Sequence, residues 1–309
     1  MLKVLCVLPV KDSHKQLLSK AGCGKCEFIY NEHPSSLDSI DIVIGNVPAA
    51  MLKGSKVQLL QLNSAGYEAY TAEGISPKDM HLCNARGAYG LTVGEHMLAL
   101  TFALVRKLEL YRDKQNAKDW SDCGSVSSIE GATIVVLGMG DIGGEYARKV
   151  KALGAKCVIG LRRSNAVKPE YLDEQYTMEN LEKVLPRADI VASVLPGGPA
   201  TSKLFNQERF ALMKQGAYFI NCGRGSSVDQ DALETALRSG HLAAAALDVT
   251  SPEPLPKDSK LWDIPNLFIT PHVAGNFFLQ ETFERIIKIA AFNLDALLNG
   301  KALKNEIVH

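Results

Sequence analysis

Residues 132–150 read ATIVVLGMGDIGGEYARKV. A strand-like apolar run leads directly into Gly138-Met139-Gly140-Asp141-Ile142-Gly143, and a helix-like run follows. In this context the first glycine permits a tight turn, the second lets the backbone approach a pyrophosphate, and the third lets helix and strand pack closely. The first N–H groups of the helix are unpaired donors for phosphate. The segment therefore predicts a dinucleotide site, the alternative being a glycine-rich turn without a ligand.

Strand-like runs alternate with helix-like runs on both sides of this segment. The upstream runs predict strands at Val4–Leu8, Glu27–Tyr30, Asp41–Gly45, Val57–Leu62 and His81–Asn84. From the quoted segment onward, six strands are predicted, at Ala132–Leu137, Ala155–Leu161, Ile190–Val194, Ala217–Asn221, Ala243–Val249 and Leu267–Thr270. Such alternation is typical of parallel βαβ units. We therefore expect an α/β protein with two Rossmann-like or flavodoxin-like doubly wound parallel sheets.

Three longer runs predict helices. The first is Lys11–Lys20, and the last, from about Phe278 to Leu298, closes the chain. Between them a run from Val93 to about Lys114, with apolar residues three or four apart, predicts one long helix that connects the two α/β segments. A stretch rich in Gly and Ser at 119–128 predicts a loop.

The composition is that of an ordinary folded protein of about two domains. The chain has 309 residues, of which 46% are hydrophobic and 22% charged. Lys plus Arg and Asp plus Glu both number 34, so no bulk charge favours nucleic acid or anionic lipid. The apolar run Leu91–Val105 contains Glu95 and is shorter than the roughly 20 residues of a membrane span. We expect neither a nucleic-acid nor a membrane partner.

The cysteines indicate a reducing compartment. There are seven, an odd number, and the N-terminal apolar run is too short for a secretory signal, so we expect a cytoplasmic protein. Cys23-Gly-Lys-Cys26 could be redox-active or half of a zinc site, but it has no second pair at ligand spacing, so it predicts a turn and no metal is expected. The histidines without a partner motif are expected at the surface: His14, His33, His81, His241 and His309.

The end of the strand after the glycine motif bears on which dinucleotide binds. An acidic residue here would bind the adenosine ribose, but the sequence has Leu161-Arg162-Arg163. Guanidinium groups suit a ribose 2′-phosphate because they offer planar forks of N–H donors and stay charged. These residues favour NADPH, with NADH as the alternative cofactor. The other interpretation of the two arginines is a solvated surface pair.

Arg224, Glu253 and His272 each follow a later predicted strand. Because ligands of doubly wound sheets bind outside the carboxyl ends of the strands, we expect these side chains to converge on one crevice. A cation, a carboxylate and an imidazole form a set suited to reducing a carbonyl beside a carboxylate. Taken singly, each residue is more often an ordinary loop contact.

Eight short motifs occur between about Gln61 and the C-terminus: Ser64-Ala65-Gly66, Val93–His96, Gly138–Gly143, Leu195-Pro196, Asn221–Gly225, Leu247–Val249, Pro252–Pro254 and Pro271-His272. Together they resemble the motifs of the D-isomer-specific 2-hydroxyacid dehydrogenase family. The resemblance implies an NAD(P)-dependent reductase that converts a small 2-oxo acid into a D-2-hydroxy acid.

The resemblance also implies roles for single residues. Arg224 matches the arginine that binds the substrate carboxylate and keto oxygen, His272 matches the general acid, and Glu253 matches its carboxylate partner. The turn Ser64-Ala65-Gly66 matches a loop that completes the carboxylate site, and Asp248 matches a position near the nicotinamide amide. The implied cofactor contacts are Gly138, Gly140, Asp141, Ile142, Gly143, Leu161, Arg162, Arg163, Leu195, Pro196, Thr201, Cys222, Gly223, Asp248, His272 and Ala274.

The family's architecture implies that a nucleotide-binding domain, 93–275, is inserted into a discontinuous substrate-binding domain, 1–92 and 276–309. Hinges are expected near Thr92 and Gly275. The helix that begins near Val93 has apolar residues on more than one face, which favours a homodimer in which it packs against its twin.

Other functions fit parts of the sequence. A dinucleotide-sensing regulatory or corepressor-like protein would use the same fold, although the Arg224, Glu253 and His272 set argues against a purely sensory role. A formate-type or phosphite-type oxidoreductase would share the fold and cofactor. The sequence also departs from the family's usual residues at Gly94 and Cys222, and Phe277-Phe278 either line the substrate site or belong to the core of the last helix.

Overall fold

The alternating runs fold into two α/β units in a computed structural model that describes residues 1–308. One unit consists of Met1–Tyr89 together with the segment from Phe277 to the C-terminus, and the other is Gly90–Asn276. His309, which was expected at the surface, lies outside the described residues. No helix within residues 1–308 has the length and apolar character needed to cross a bilayer.

The strands and helices follow in chain order. Before residue 90 they are β1 (Leu2–Cys6), α1 (Asp12–Gly22), β2 (Cys26–Tyr30), β3 (Ile42–Ile44), β4 (Leu59–Gln61) and β5 (His81–Cys83). Between residues 90 and 276 they are α2 (Gly90–Arg106), α3 (Leu108–Ala117), β6 (Thr133–Leu137), α4 (Asp141–Ala152), β7 (Cys157–Arg162), β8 (Glu174–Thr177), α5 (Leu181–Val184), β9 (Ile190–Ser193), α6 (Gln207–Leu212), β10 (Ala217–Asn221), α7 (Gln230–Arg238), β11 (Leu242–Leu247) and β12 (Leu267–Ile269). After residue 276 they are α8 (Gln280–Leu298) and β13 (Glu306–Ile307).

The first unit contains a six-stranded sheet in the order β13-β5-β4-β3-β1-β2. Its strands β1 to β5 are parallel and have the flavodoxin-like order, whereas β13 pairs antiparallel with β5. Helices α1 and α8 pack together in this unit. The sequence predicted neither the pairing of β13, which is only two residues long, nor its direction.

His14 was expected at the surface, and the structure shows that this prediction is wrong. Its side chain is only 2% exposed, on α1, and Nε2 lies 3.0 Å from Oε1 of Glu284 on α8. The backbone N–H of Lys11 donates to Nδ1, and the ring packs edge-on against Phe283. The partner stands 270 positions away in the sequence, so no local pattern indicates this burial.

The second unit contains a parallel seven-stranded sheet in the order β12-β11-β10-β9-β6-β7-β8. The chain moves from β6 outward to β8 and then returns to β9 on the other side of β6. The carboxyl ends of β6 and β9 therefore form the topological switch point, where doubly wound sheets bind their ligands. The predicted α/β class with doubly wound sheets is confirmed.

Two predictions for the second unit are wrong in detail. It has seven strands rather than six, because β8 is a half-exposed edge strand that lacks an apolar run. The predicted single helix from Val93 to Lys114 is interrupted at Lys107, whose φ of 58° is left-handed, so that α2 and α3 are separate helices. The Lys107 ammonium donates to the Cys123 carbonyl at 2.6 Å. Helix α2 is largely buried, whereas α3 has no buried residue.

Candidate active site

The glycine motif forms the turn between β6 and α4, and the space around each glycine differs. Gly138 has a φ of +95°, and a Cβ there would lie 2.8 Å from the Val194 carbonyl oxygen. A Cβ on Gly143 would lie 2.2 Å from the Gly138 carbonyl oxygen, so helix and turn pack too closely for any side chain. A Cβ on Gly140 would meet nothing within 4 Å. The turn therefore leaves open space at the N-terminus of α4, as a pyrophosphate requires.

Asp141 and Ile142 form the first turn of α4. The Asp141 carboxylate accepts a hydrogen bond from the Gly90 backbone N–H at 2.6 Å, so its side chain is engaged within the protein. Asp141 and Ile142 lie in the first turn of the helix, where backbone N–H groups have no partner within the helix and could donate to a phosphate. Leu161, at the end of the neighbouring strand β7, is fully buried, and its carbonyl accepts from the Gly138 N–H at 2.9 Å.

Arg162 and Arg163 lie where β7 ends, next to the glycine turn. Arg162 is half-buried and Arg163 is exposed. Within the part of the chain that the structure describes, neither guanidinium forms a hydrogen bond or an ion pair. The two guanidinium groups are therefore available to bind an anionic ligand.

The loops after β9 and β10 form the other side of the switch point. A Cβ on Gly223 would lie 2.5 Å from the Leu195 carbonyl oxygen, so these two loops touch through their backbones. The Thr201 hydroxyl donates to the Pro196 carbonyl at 2.7 Å and closes the loop after β9. Burial raises the pKa of the Cys222 thiol well above its usual value, and the nearby Asp248 raises it further. Cys222 is therefore a buried, neutral thiol.

Arg224 follows β10, and its carbonyl accepts hydrogen bonds from Asn221 Nδ2 at 3.0 Å and from the Ser227 hydroxyl at 2.7 Å. These bonds fold the loop back over the end of the strand. A Cβ on Gly225 would lie 1.9 Å from the Thr250 carbonyl oxygen, so the Arg224 loop packs directly on the loop that follows β11.

His272 and Glu253 form a pair at the carboxyl end of the same sheet. His272 Nδ1 lies 2.7 Å from Glu253 Oε2, and the Thr250 N–H donates to Glu253 Oε1 at 3.0 Å. The carboxylate is thus held from both sides and orients the ring, while Nε2 of His272 has no hydrogen-bond partner within residues 1–308. The His272 side chain is 48% exposed, which leaves it accessible.

Asp248, at the end of β11, supports the turn that carries His272. Its carboxylate is 2% exposed and accepts from the Thr270 hydroxyl at 2.6 Å, the Val273 N–H at 3.0 Å and the Ala274 N–H at 3.1 Å. Its backbone carbonyl accepts from the His272 N–H at 2.7 Å. These bonds satisfy a buried charge that would otherwise be costly. Both side-chain oxygens of Asp248 are therefore used within the protein.

A cavity of about 410 Å³ lies beside the His272–Glu253 pair within the second unit. Much of its wall is apolar and is formed by Pro254, Leu255, Trp262 and Ile269. Among residues 1–308, no group of three or more His, Cys, Asp or Glu side chains is arranged to hold a metal ion.

The turn Ser64–Gly66 belongs to the first unit. The Ser64 hydroxyl donates to the Gly66 carbonyl at 2.7 Å and accepts from Asn46 Nδ2, and Asn84 Nδ2 donates to the Ala65 carbonyl at 2.8 Å. These bonds fix the turn. The N–H groups of Ala65 and Gly66 donate to no acceptor within the described range 1–308, so both remain available.

Sequence patterns indicated the charged residues of the site, but not the two threonines that form hydrogen bonds with them. Thr250 and Thr270 were not singled out, because an isolated threonine after a strand carries no pattern. Of the aromatic pair, Phe277 stacks on Phe283 at 5.3 Å between ring centres, whereas Phe278 is 85% exposed. The two aromatic side chains therefore have different environments.

Comparisons with known proteins identify the family to which the chain is similar. The sequence model of the "D-isomer specific 2-hydroxyacid dehydrogenase, NAD binding domain" matches residues 98–274. The glyoxylate/hydroxypyruvate reductase B of Klebsiella pneumoniae (strain 342) is 31% identical over 89% of this chain and 87% of its own.

Two solved structures share the fold over nearly the whole chain. A D-isomer specific 2-hydroxyacid dehydrogenase family protein from Aeromonas salmonicida has a TM-score of 0.84 at 30% identity and covers 99% of both chains. The NADPH-dependent glyoxylate/hydroxypyruvate reductase from Sinorhizobium meliloti, solved with NADP and sulfate, has a TM-score of 0.81 at 26% identity and covers 99% of this chain and 98% of its own.

The family match spans more than half of the chain, and the Klebsiella relative covers most of it. The glycine turn at the switch point has the open space that a dinucleotide needs. On these grounds the chain belongs to the D-isomer specific 2-hydroxyacid dehydrogenase family and is an NAD(P)-dependent dehydrogenase.

Proposed function

We propose that the protein reduces small 2-oxo acids to D-2-hydroxy acids, with NADPH as the preferred reductant and NADH as the alternative. The observation that carries the proposal is the 2.7 Å contact between His272 Nδ1 and Glu253 Oε2 at the carboxyl end of the sheet whose switch point holds the glycine turn. Gly90–Asn276 then binds the dinucleotide and the other unit binds the substrate, close to the predicted division at 92/93 and 275/276.

His272 is the proposed general acid. A nicotinamide cofactor, when bound, would supply the hydride that C2 of the substrate needs. Nε2 of His272 gives a proton to the C2 oxygen, which becomes the hydroxyl of the product. Glu253 holds the ring through Nδ1 and offsets the positive charge of the ring while it carries both protons. The proton on Nε2 is restored from solvent, to which the side chain is accessible.

Arg224 is the proposed ligand of the substrate carboxylate and keto oxygen. A guanidinium suits both, because it donates a planar pair of N–H groups and stabilises the negative charge that develops on the oxygen. The available N–H groups of Ala65 and Gly66 are proposed as further donors to the carboxylate. Arg224 lies in a loop packed on the Glu253 loop, which keeps its backbone in a fixed place relative to the acid.

NADPH preference is proposed from Arg162 and Arg163. Both guanidiniums are unpaired within residues 1–308 and stand at the end of β7, where a carboxylate would be needed to select NADH. A 2′-phosphate adds charge that two arginines can neutralise. The Sinorhizobium relative, described as NADPH-dependent, adds to this argument.

Glyoxylate and hydroxypyruvate are the proposed substrates to test first. Two relatives, at 31% and 26% identity, carry these names. The cavity beside His272 also has space for a substituent on C2. Its apolar wall also makes 2-oxo acids with larger apolar substituents worth including in the panel.

A homodimer is proposed from the surface of α2 and the residues that follow it. Phe102 on α2 and Leu108 on α3 are exposed, and Trp120 is fully exposed. We infer that these large apolar side chains belong to one interface, because contiguous apolar patches on a surface mark interaction sites. Light scattering is expected to give about twice the 33.5 kDa of one chain, and a mass near 33.5 kDa would contradict the dimer. A cytoplasmic location remains part of the proposal.

The function is tested by following NADPH oxidation with a panel of 2-oxo acids. We expect turnover by the native protein, and His272→Ala is expected to lower kcat by about two to four decades. Fluorescence titration is expected to give similar NADPH affinity for both proteins, because the imidazole acts on the substrate oxygen. Tight NADPH binding without turnover of any 2-oxo acid would instead favour a dinucleotide sensor.

A further inference from the structure

Three residues outside the proposed catalytic set, His96, Thr270 and Asp248, lie beside the turn that carries His272. His96 is on α2, and its Nε2 lies 3.1 Å from Oγ1 of Thr270 and 3.6 Å from Oδ1 of Asp248. The His96 side chain is 23% exposed and the Asp248 side chain 2%, so these contacts are largely shielded from water. Polar contacts in such surroundings are stronger than at an open surface.

The donors and acceptors in this group can be assigned. The Thr270 hydroxyl has one proton and lies 2.6 Å from Asp248 Oδ1, to which it must donate, because a carboxylate only accepts. Toward His96 the same oxygen is therefore an acceptor. His96 must then carry a proton on Nε2. The result is a directed chain from the His96 N–H to the Thr270 hydroxyl and on to the Asp248 carboxylate.

The end of this chain determines the conformation of the His272 turn. Asp248 accepts from the N–H groups of Val273 and Ala274 through its carboxylate and from that of His272 through its backbone carbonyl. His272 itself has a φ of +52°, a left-handed conformation that is strained for a residue with a side chain. Such a conformation persists only where the surroundings hold it in place.

Helix α2 grips the same turn at a second point. The Thr92 hydroxyl donates to the Ala274 carbonyl at 3.4 Å, one turn of the helix before His96. The first turns of α2 therefore contact the turn that carries His272. This turn follows a strand of the sheet, whereas α2 is a helix that contacts the turn from outside the sheet. His96 does not touch Glu253 or the cavity beside it, so it is no part of the acid pair.

We propose that His96 is a positioning residue, which acts through Thr270 and Asp248 to hold the His272 turn in the geometry that proton transfer requires. This inference rests on the proposed function, in which His272 is the general acid. It gives the Val93–His96 motif a function, which is to position the His272 turn. Thr270, which follows β12, has the same function because it connects His96 to Asp248.

The kinetic test compares four variants. His96→Ala and Thr270→Val each break the chain, and each is expected to lower kcat about tenfold while the KM for the 2-oxo acid changes by less than about twofold, because a displaced acid affects the transition state. His96→Gln keeps an N–H donor and is expected to restore most of kcat. The matched control is Thr101→Val on the same helix, where a buried hydroxyl lies 2.9 Å from the Tyr146 hydroxyl. It is expected to lower stability without lowering kcat.

A spectroscopic test is independent of turnover. In protein labelled with 15N-histidine, long-range 1H–15N spectra identify which ring nitrogen carries the proton. We expect His96 to be protonated on Nε2 and the His272 signals to change in His96→Ala and Thr270→Val but not in His96→Gln or Thr101→Val. Unchanged His272 signals and kcat in both His96→Ala and Thr270→Val would overturn the positioning role. A native protein that reduces no 2-oxo acid would overturn the proposed function instead, and the spectra would still decide whether His96 controls the His272 turn.

Discussion

Replacing Glu253 by glutamine tests the proposed acid pair at its most constrained point. Both carboxylate oxygens are acceptors, Oε2 from His272 Nδ1 at 2.7 Å and Oε1 from the Thr250 N–H at 3.0 Å. Glutamine has one acceptor oxygen and one NH₂ group, so it can satisfy only one of these donors. The Thr250 N–H cannot reverse its role. The amide nitrogen must therefore face His272, whose Nδ1 then has to accept, and the ring loses its negatively charged neighbour.

The size of the effect follows from the strength and exposure of the contact. A hydrogen bond to a charged group contributes about 1.5–3 kcal/mol. Because the Glu253 side chain is 36% exposed and that of His272 48%, the lower part of this range applies, about 1.5–2 kcal/mol. If this interaction is made in the transition state, kcat should fall by about 10- to 30-fold. The loss is smaller than that expected for His272→Ala, because the imidazole itself remains.

The assay is steady-state NADPH oxidation with the best 2-oxo acid of the panel, accompanied by fluorescence titration of NADPH. The matched control is Glu234→Gln on α7, which removes a carboxylate of the same unit that pairs with Arg238 at 2.8 Å. The control is expected to keep its kcat, and both variants should retain NADPH affinity. A Glu253→Gln enzyme with kcat within about twofold of the native value would refute the role given to the pair.

Three further outcomes are expected. The native protein is expected to prefer NADPH over NADH by at least about tenfold in kcat/KM, about 1.4 kcal/mol, and Arg162→Ala should reduce this preference. Equal use of NADPH and NADH by the native protein would reject the preference. The Arg187 guanidinium, and to a lesser degree the Tyr176 hydroxyl, lower the pKa of Glu174 from its ordinary 4.5 to about 2. The stability that Glu174 contributes is therefore present above about pH 4.5 and is lost as the pH falls toward about 2, so denaturation curves of the native protein and Glu174→Gln should converge over that interval. A gap that stays constant would contradict the ion pair. Gly225→Ala places a Cβ 1.9 Å from the Thr250 carbonyl oxygen and is expected to cost about 1–3 kcal/mol of unfolding free energy, measured by urea denaturation. An unchanged unfolding free energy would contradict this close packing of the two loops.

The central part of the fold was predictable because its signals are local. The apolar strand, the three glycines and the helix start stand within a single stretch, and the structure has β6 and α4 there. The residues at the ends of β10, β11 and β12 were also recognisable, because charged groups directly after apolar runs stand out. Arg224, Glu253 and His272 were identified in this way, and their catalytic roles remain predictions.

The features that sequence patterns missed depend on contacts between distant segments. His14 is buried because Glu284 and Phe283 cover it from another helix. The interruption at Lys107 breaks a run whose apolar spacing alone predicts a continuous helix, and the Lys107 side chain bonds to Cys123, beyond the end of that run. Strand β8 is half-exposed at the edge of its sheet, so no apolar run marks it.

The antiparallel pairing of β13 with β5 and the packing of α8 on α1 have a consequence for biosynthesis. The N-terminal 89 residues leave the ribosome long before the segment that completes their unit. The edge of β5 and the face of α1 that packs on α8 are therefore exposed while Gly90–Asn276 is still being synthesised. A fragment that ends at Asn276 is therefore expected to show a protease-resistant second unit next to protease-sensitive N-terminal residues, and equal resistance of both parts would contradict this order. We therefore expect the incomplete first unit to be the part of the chain most prone to aggregation during translation.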